Sequence, residues 1–336
     1  MKGGKTGNPK IDHYSVLEVS PRASEPVIRA AHESLIVVHG SDKSRLARIK
    51  RSYEILSDSA RRAEYDKDDD GAGKVIGDYR IVEFIAEGGF GRTYKAEHIL
   101  TGEMVCIKQC TRISPQDEAI LIAEAKAMWD LRHYSIPALR NVIRLSDGSL
   151  ALVMSFVPGL TLEKIVDKIG CIDTENTCWI VERILNALMY IHYQGVVHGD
   201  IKPQNIIIQP DTHTVVLVDF GLALVKPSGK SDNKGYTKYF ASPEAERGET
   251  IIPESDFYSL GMTMIYALSG DVEYVAKKNV PDSVPDPLCD FIKKLIVRDV
   301  LSRPNWEKED LCQSIQAVRT KVFGRARSNM KPIKGL

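Results

Sequence analysis

Between positions 198 and 221 the chain reads His198-Gly-Asp-Ile-Lys-Pro-Gln-Asn205, then Ile206–Ile208, Pro210-Asp211, Val215–Val218 and Asp219-Phe-Gly221. Two short apolar runs around a Pro-Asp turn predict a β-hairpin. Its closure brings positions 205 and 219 together, although they are 14 apart in sequence. Asp200 in this order can orient a hydroxyl and accept its proton. Asn205 and Asp219 can both hold Mg²⁺, an ion that prefers oxygen ligands.

Upstream, Ala86-Glu-Gly-Gly-Phe-Gly91 lies between two predicted strands. Glycines there let backbone N–H groups approach a phosphate, although a Gly-rich hairpin turn has the same composition. Val105-Cys-Ile-Lys108 ends an apolar strand with a lysine. Ile120, Glu124, Met128 and Leu131 share one helix face. A carboxylate in that apolar stripe needs a cationic partner, and Lys108 is the candidate.

Together these motifs resemble the protein kinases over about residues 79–320. Glu87-Gly-Gly-Phe-Gly-Arg-Thr-Tyr-Lys95 is most similar to the eukaryotic-like Ser/Thr kinases of bacteria. The resemblance implies an α+β, bilobal fold with a small β-rich lobe and a large helical lobe. It implies ATP and Mg²⁺ as cofactors and a protein substrate with a Ser/Thr acceptor. By resemblance Gly88, Gly89 and Gly91 cover the phosphates. Lys108 contacts them and pairs with Glu124. Asp200 is the catalytic base, Lys202 neutralises the transferred group, and Asn205 and Asp219 hold the metal. Thr93 and Cys106 roof the adenine, and Phe156 and Val157 form the hinge that meets it. Thr237 steadies the catalytic loop. Glu244 and Arg303 tie the activation segment to the helical lobe, and Asp256 lies beneath the catalytic loop.

Four positions depart from the family pattern. Ala86 replaces the first loop glycine, which is tolerable if its φ is negative. Thr93 and Cys106 replace Val and Ala of similar size. Gly199 replaces the arginine that couples the catalytic loop to a phosphorylated activation segment. The expectation is a kinase of the non-RD type, lacking that arginine, whose activity does not need phosphorylation at Ser228 or Ser231.

Residues 11–66 look helical. Ser24-Glu-Pro26 starts one helix, and Leu46, Ile49, Tyr53 and Leu56 mark a second. This stretch resembles a J-domain through Asp12-His-Tyr-Ser-Val-Leu-Glu-Val-Ser20, Ser52-Tyr-Glu-Ile-Leu-Ser-Asp58 and Arg62-Ala-Glu-Tyr-Asp66. The family's His-Pro-Asp is absent, since Gly40-Ser41-Asp42 stands in its place. The expectation is therefore a small all-α J-like hairpin that serves as a docking or spacer module for a protein partner. The division expected is a flexible N-terminus at 1–10, the J-like module at 11–66 and a linker at 67–78. A β-rich lobe at 79–157, a helical lobe at 158–322 and a loose basic tail at 323–336 follow. Two other classes stay open: a pseudokinase scaffold, and a J-type co-chaperone with a kinase-like appendage.

Composition narrows the classes. Lys plus Arg and Asp plus Glu are both 45, so no basic excess points to a nucleic-acid partner. No apolar run approaches the ~18 residues that span a bilayer. The start lacks the apolar stretch of a secretory signal. Six scattered cysteines without zinc spacing suit a reducing, cytoplasmic location.

Overall fold

The computed structural model describes residues 13–19, 23–40, 42–62, 71–88, 91–110, 114–209, 212–227, 235–325, 332–333 and 335. Two compact units emerge: Met1–Val75 with Arg80–Phe84, and Ile76–Tyr79 with Ile85–Leu336.

In the first unit, α1 (His13–Val16) precedes α2 (Glu25–Val38) and α3 (Lys43–Leu56). Pro26 sits in the first turn of α2, where its missing N–H costs no helical bond. Tyr14, Leu17, Ile28, Leu35, Ile49 and Leu56 bury together, and the predicted apolar stripe of α3 supplies two of them. His13 Nδ1 lies 2.9 Å from Ser52 Oγ, and Arg62 Nε donates to Tyr14 Oη at 2.9 Å. His13 and Tyr14 at one end of this helical stretch are thus in direct contact with Ser52 and Arg62 at the other. Residues 1–12, Ser41 and the stretch from 63 through the linker's charged start to 70 lie outside the described residues. The rest of the expected linker is not structureless, because Val75–Ile76 forms β1.

A six-stranded sheet follows in the order β1-β2-β3-β4-β6-β5. Its further strands are β2 (Tyr79–Gly88), β3 (Gly91–His98), β4 (Met104–Gln109), β5 (Leu139–Arg144) and β6 (Leu150–Ser155). One helix, α4 (Pro115–Met128), crosses between β4 and β5. Ser114 caps it by accepting from the Asp117 N–H at 3.1 Å.

The helical lobe contains α5 (Leu162–Ile169), α6 (Thr174–Tyr193), α7 (Pro243–Glu246), α8 (Pro253–Ser269), α9 (Val272–Lys277), α10 (Asp286–Leu295) and α11 (Leu311–Phe323). Helix α8 is buried along almost its whole length. The predicted hairpin is β9 (Ile206–Gln209) against β10 (Thr214–Leu217), with Ile208 opposite Val215. The short strand β7 (Leu160–Thr161) extends it, and β8 (Val196–Val197) pairs antiparallel with β11 (Leu224–Val225). Among the described residues no helix is long and apolar enough to cross a membrane.

The tail differs from expectation. Gly324 ends α11 in the left-handed conformation, and Arg325 then donates to Glu175 at 2.7 Å. Ile333 is buried in the main core. The basic composition suggested solvation, but the Arg325 guanidinium has the Glu175 carboxylate in reach and Ile333 finds apolar cover. Residues 326–331, 334 and 336 lie outside the described residues.

Candidate active site

Register sets the upper wall of the site. Thr93 stands opposite Lys108, and Lys95 opposite Cys106, on the β3–β4 ladder. Side chains alternate along a strand, so all four share one face of the sheet. Cys106 also stands opposite Met154 of β6, after which Phe156 and Val157 leave the strand half-buried. Burial pushes the Cys106 thiol up to about 12, leaving it neutral. Lys95 was not singled out from sequence, yet its Nζ lies 4.9 Å from the centre of the Phe156 ring. The alternation of positions 93 and 95 is the signal that could have found it.

Gly88 ends β2 and Gly91 opens β3. Gly89 and Phe90 lie outside the described residues. Gly91 has φ +132°, and a Cβ there would sit 2.0 Å from the Gln109 carbonyl oxygen, so only glycine fits. Ala86 is not among the residues of positive φ, and its methyl group is accommodated without backbone strain.

Lys108 joins three elements. Its Nζ lies 2.9 and 2.8 Å from the two Glu124 oxygens and 2.7 Å from Asp219 Oδ1. Burial alone would lower the ammonium's pKa, but the two carboxylates more than reverse this and hold it above the usual lysine range. The same pairing outweighs the desolvation of Asp219 and keeps that carboxyl below its ordinary range. Glu124 is fully buried at 0% exposure, which the double contact with Lys108 compensates.

The loop from 198 to 205 is organised around Asp200. Thr237 Oγ1 donates to its Oδ1 at 2.6 Å, Lys202 Nζ lies 2.7 Å from its Oδ2, and Asn205 Nδ2 donates to Oδ2 at 3.0 Å. Lys202 also donates to Thr237 at 3.0 Å. Asn205 spends its amide N–H groups on Asp200, which leaves its Oδ1 as an acceptor. The Val218 N–H donates to the Asn205 carbonyl at 2.9 Å, which sets Asp219 beside position 205 as the hairpin argument expected. The oxygens of Asn205 and Asp219 that these bonds leave over are hard donors of the kind Mg²⁺ takes.

Asp256 underlies the loop. Fully buried on α8, it accepts from the His198 and Gly199 N–H groups at 2.8 Å each, and from His192 Nε2 at 2.8 Å. Trp306 Nε1 donates to His192 Nδ1 at 2.9 Å, so His192 carries its proton on Nε2. Neither His192 nor Trp306 was singled out from sequence. They are far apart in the chain, and nothing local marks their pairing. Glu244 and Arg303 form the expected buried pair at 2.6 Å. Ser228 and Ser231 lie outside the described residues. With Lys108, Glu124 and Asp219 in one cluster and Asp200, Lys202, Asn205 and Thr237 in another, the site sets carboxylate and amide oxygens where a divalent cation can be held and a carboxylate where a hydroxyl can be oriented.

The family described as protein kinase domain matches residues 79–314. The chain is 29% identical over 228 residues to the probable serine/threonine-protein kinase PknB of Lactococcus lactis subsp. lactis (strain IL1403), covering 63% of this chain and 36% of that protein. It is 27% identical over 266 residues to the serine/threonine-protein kinase pkn3 of Myxococcus xanthus, covering 70% and 48%. Against the maternal embryonic leucine zipper kinase of Danio rerio it is 30% identical over 243 residues, covering 70% and 34%. The chain thus spans between a third and a half of the length of these relatives.

Proposed function

The chain belongs to the protein kinase domain family, and on that premise we propose that it is a serine/threonine protein kinase using ATP and Mg²⁺. The observation that carries the reading is the Lys108 ammonium held between Glu124 and Asp219. A pseudokinase need not keep that buried arrangement together with Asp200, Lys202 and Asn205.

In this reading Lys108, fixed by Glu124, binds the α/β-phosphates, and Gly88, Gly89 and Gly91 close over them. Thr93, Cys106, Phe156 and Val157 enclose the adenine. Asn205 and Asp219 would hold Mg²⁺, which when bound neutralises phosphate charge. Asp200 accepts a hydrogen bond from the acceptor hydroxyl and takes its proton as the oxygen attacks. Lys202, against Thr237, balances charge on the phosphoryl group in transit. Catalysis is then positioning plus electrostatic stabilisation. Gly199 supports activity that needs no phosphate on the activation segment.

For residues 11–66 we propose a J-like docking module. The His13–Ser52 and Tyr14–Arg62 contacts support it, and Gly40-Ser41-Asp42 argues against stimulation of a chaperone ATPase. The test of the kinase reading is transfer of labelled phosphate from ATP to a generic Ser/Thr substrate in Mg²⁺. Asp200→Asn should lower turnover by at least a hundredfold. Transfer that persists in that variant would place the chemistry elsewhere.

A further inference from the structure

Gly199 does more than lack a side chain. Its φ is +76°, and a Cβ built on it would lie 2.6 Å from Ile251 Cδ1 and 3.0 Å from the Leu222 carbonyl oxygen. The tip of Ile251 therefore rests on the bare α-carbon of the catalytic loop. Ile251 is 4% exposed and packs in a separate apolar cluster with Val197, Leu224 and Ala245. Each member comes from a different part of the site. Val197 is on β8, leading into His198. Leu224 is its partner across the ladder on β11, just after Asp219-Phe-Gly221. Ala245 is on α7, beside Glu244. Ile251 itself immediately precedes Ile252, the N-cap of α8, the helix that carries Asp256.

We propose that Ile251 is a positioning residue for phosphoryl transfer. Seated on Gly199, it clamps the catalytic loop, the start of the activation segment and the α7 turn into one apolar latch. The proposal rests on the kinase reading above and states what holds the activation segment in place of a phosphate. Two features tie that segment without charge. One is the β8–β11 ladder, continued by the Lys226 N–H to the Gly195 carbonyl at 2.7 Å. The other is burial of Ile251, Leu224 and Ala245. The latch also accounts for the residue type at 199. Any side chain there meets both a left-handed backbone and the isoleucine tip. A cation at this position would have to expel Ile251 from the cluster before it could reach a phosphate.

The test uses the full purified chain, with ATP, Mg²⁺ and a generic protein substrate. Treatment with a protein phosphatase should leave at least half of the wild-type kcat. Ile251→Ala should lower kcat between about tenfold and a hundredfold, with KM for ATP within threefold. A smaller folded fraction would also lower apparent kcat at unchanged KM, so the variant's thermal midpoint should lie within about 3 °C of wild type, and kcat is taken per folded molecule. Ile251→Val, which removes only the Cδ1 tip, should fall about threefold. Gly199→Ala should fall as far as Ile251→Ala, and adding Ile251→Val to it should restore at least fivefold, because the 2.6 Å clash is gone while the backbone strain stays. Should Ile251→Ala fail to fold, the Gly199→Ala and Ile251→Val pair carries the same test. The proposal is overturned if phosphatase removes more than nine-tenths of wild-type turnover, or if the second substitution gives no recovery in the Gly199→Ala background. If the wild-type chain transfers no phosphate, the kinase reading fails and the latch is judged by hydrogen exchange. Ile251→Val should then speed exchange at least tenfold at the amides of Val197 and Leu224, and unchanged exchange there overturns it.

Discussion

Glu244 illustrates what one buried carboxylate does. Both of its oxygens meet the Arg303 guanidinium, at 2.6 and 2.9 Å, and Oε1 also accepts from Ser255 at 2.7 Å. Burial by itself would raise its pKa, but the guanidinium and the hydroxyl hold it below the usual carboxylate range. A folded-state pKa below the unfolded value stabilises the fold above ~4.3, and that contribution is lost as pH falls through the folded value. Glu244→Gln should cost about 3 kcal/mol near pH 7, the low end for breaking a buried pair. Arg303 keeps the carbonyls of Val297, Arg298 and Glu254, which limits the damage. Urea titrations should show the gap between variant and wild type closing below about pH 4. A gap that is constant with pH would mean that the ionised carboxylate contributes nothing. Residues of this kind were legible in sequence because a charged type stood in a recognisable motif. Ile251, Trp306 and Lys95 were not, because their roles come from contacts with distant segments and their own neighbours are ordinary.

The strands and helices were legible where the signal is local. Apolar runs marked β9 and β10, and the spacing of Leu46, Ile49, Tyr53 and Leu56 marked α3. Strand order within the sheet, the β1 strand inside the expected linker, and the docking of Ile333 were not, since pairing and burial depend on partners far along the chain. The β2–β3 turn makes the difference measurable. Sequence offers two explanations for its glycines, phosphate access and turn geometry, and at Gly91 the close approach to Gln109 alone already demands glycine. Gly91→Ala should therefore destabilise the β-rich lobe by more than ~2 kcal/mol, combining strain with a backbone clash. Gly102→Ala is the control. Its φ is +72°, but the nearest contact is the Glu97 side chain at 3.6 Å, so only the left-handed cost of about 1 kcal/mol applies. Thermal melts that rank the two variants equally would show that the Gln109 contact is relieved at no cost.

At the scale of the whole chain, the division into two compact units has an energetic consequence. The N-terminal unit rests on a small apolar core, Tyr14, Leu17, Ile28, Leu35, Ile49 and Leu56, whereas α8 alone buries most of its length in the larger one. Buried surface grows faster than unit size, so the smaller unit has less stability to lose. Calorimetry should resolve two transitions, with the α1–α3 helices of the N-terminal unit melting first. Ile49 is fully buried between helices, and Ile49→Ala should cost about 2–5 kcal/mol through lost contacts and the cavity left behind. That is enough to erase the first transition near room temperature. The second should stay within about 2 °C, because among the described residues Ile49 packs in the cluster of Tyr14, Leu17, Ile28, Leu35 and Leu56. Phosphate transfer to a generic substrate should likewise remain within about twofold, since Lys108, Asp200 and Asp219 all lie in the larger unit. A single transition that Ile49→Ala lowers as a whole would mean that the two units fold as one, and that the hairpin is part of the structural support of the site and not a separate docking module.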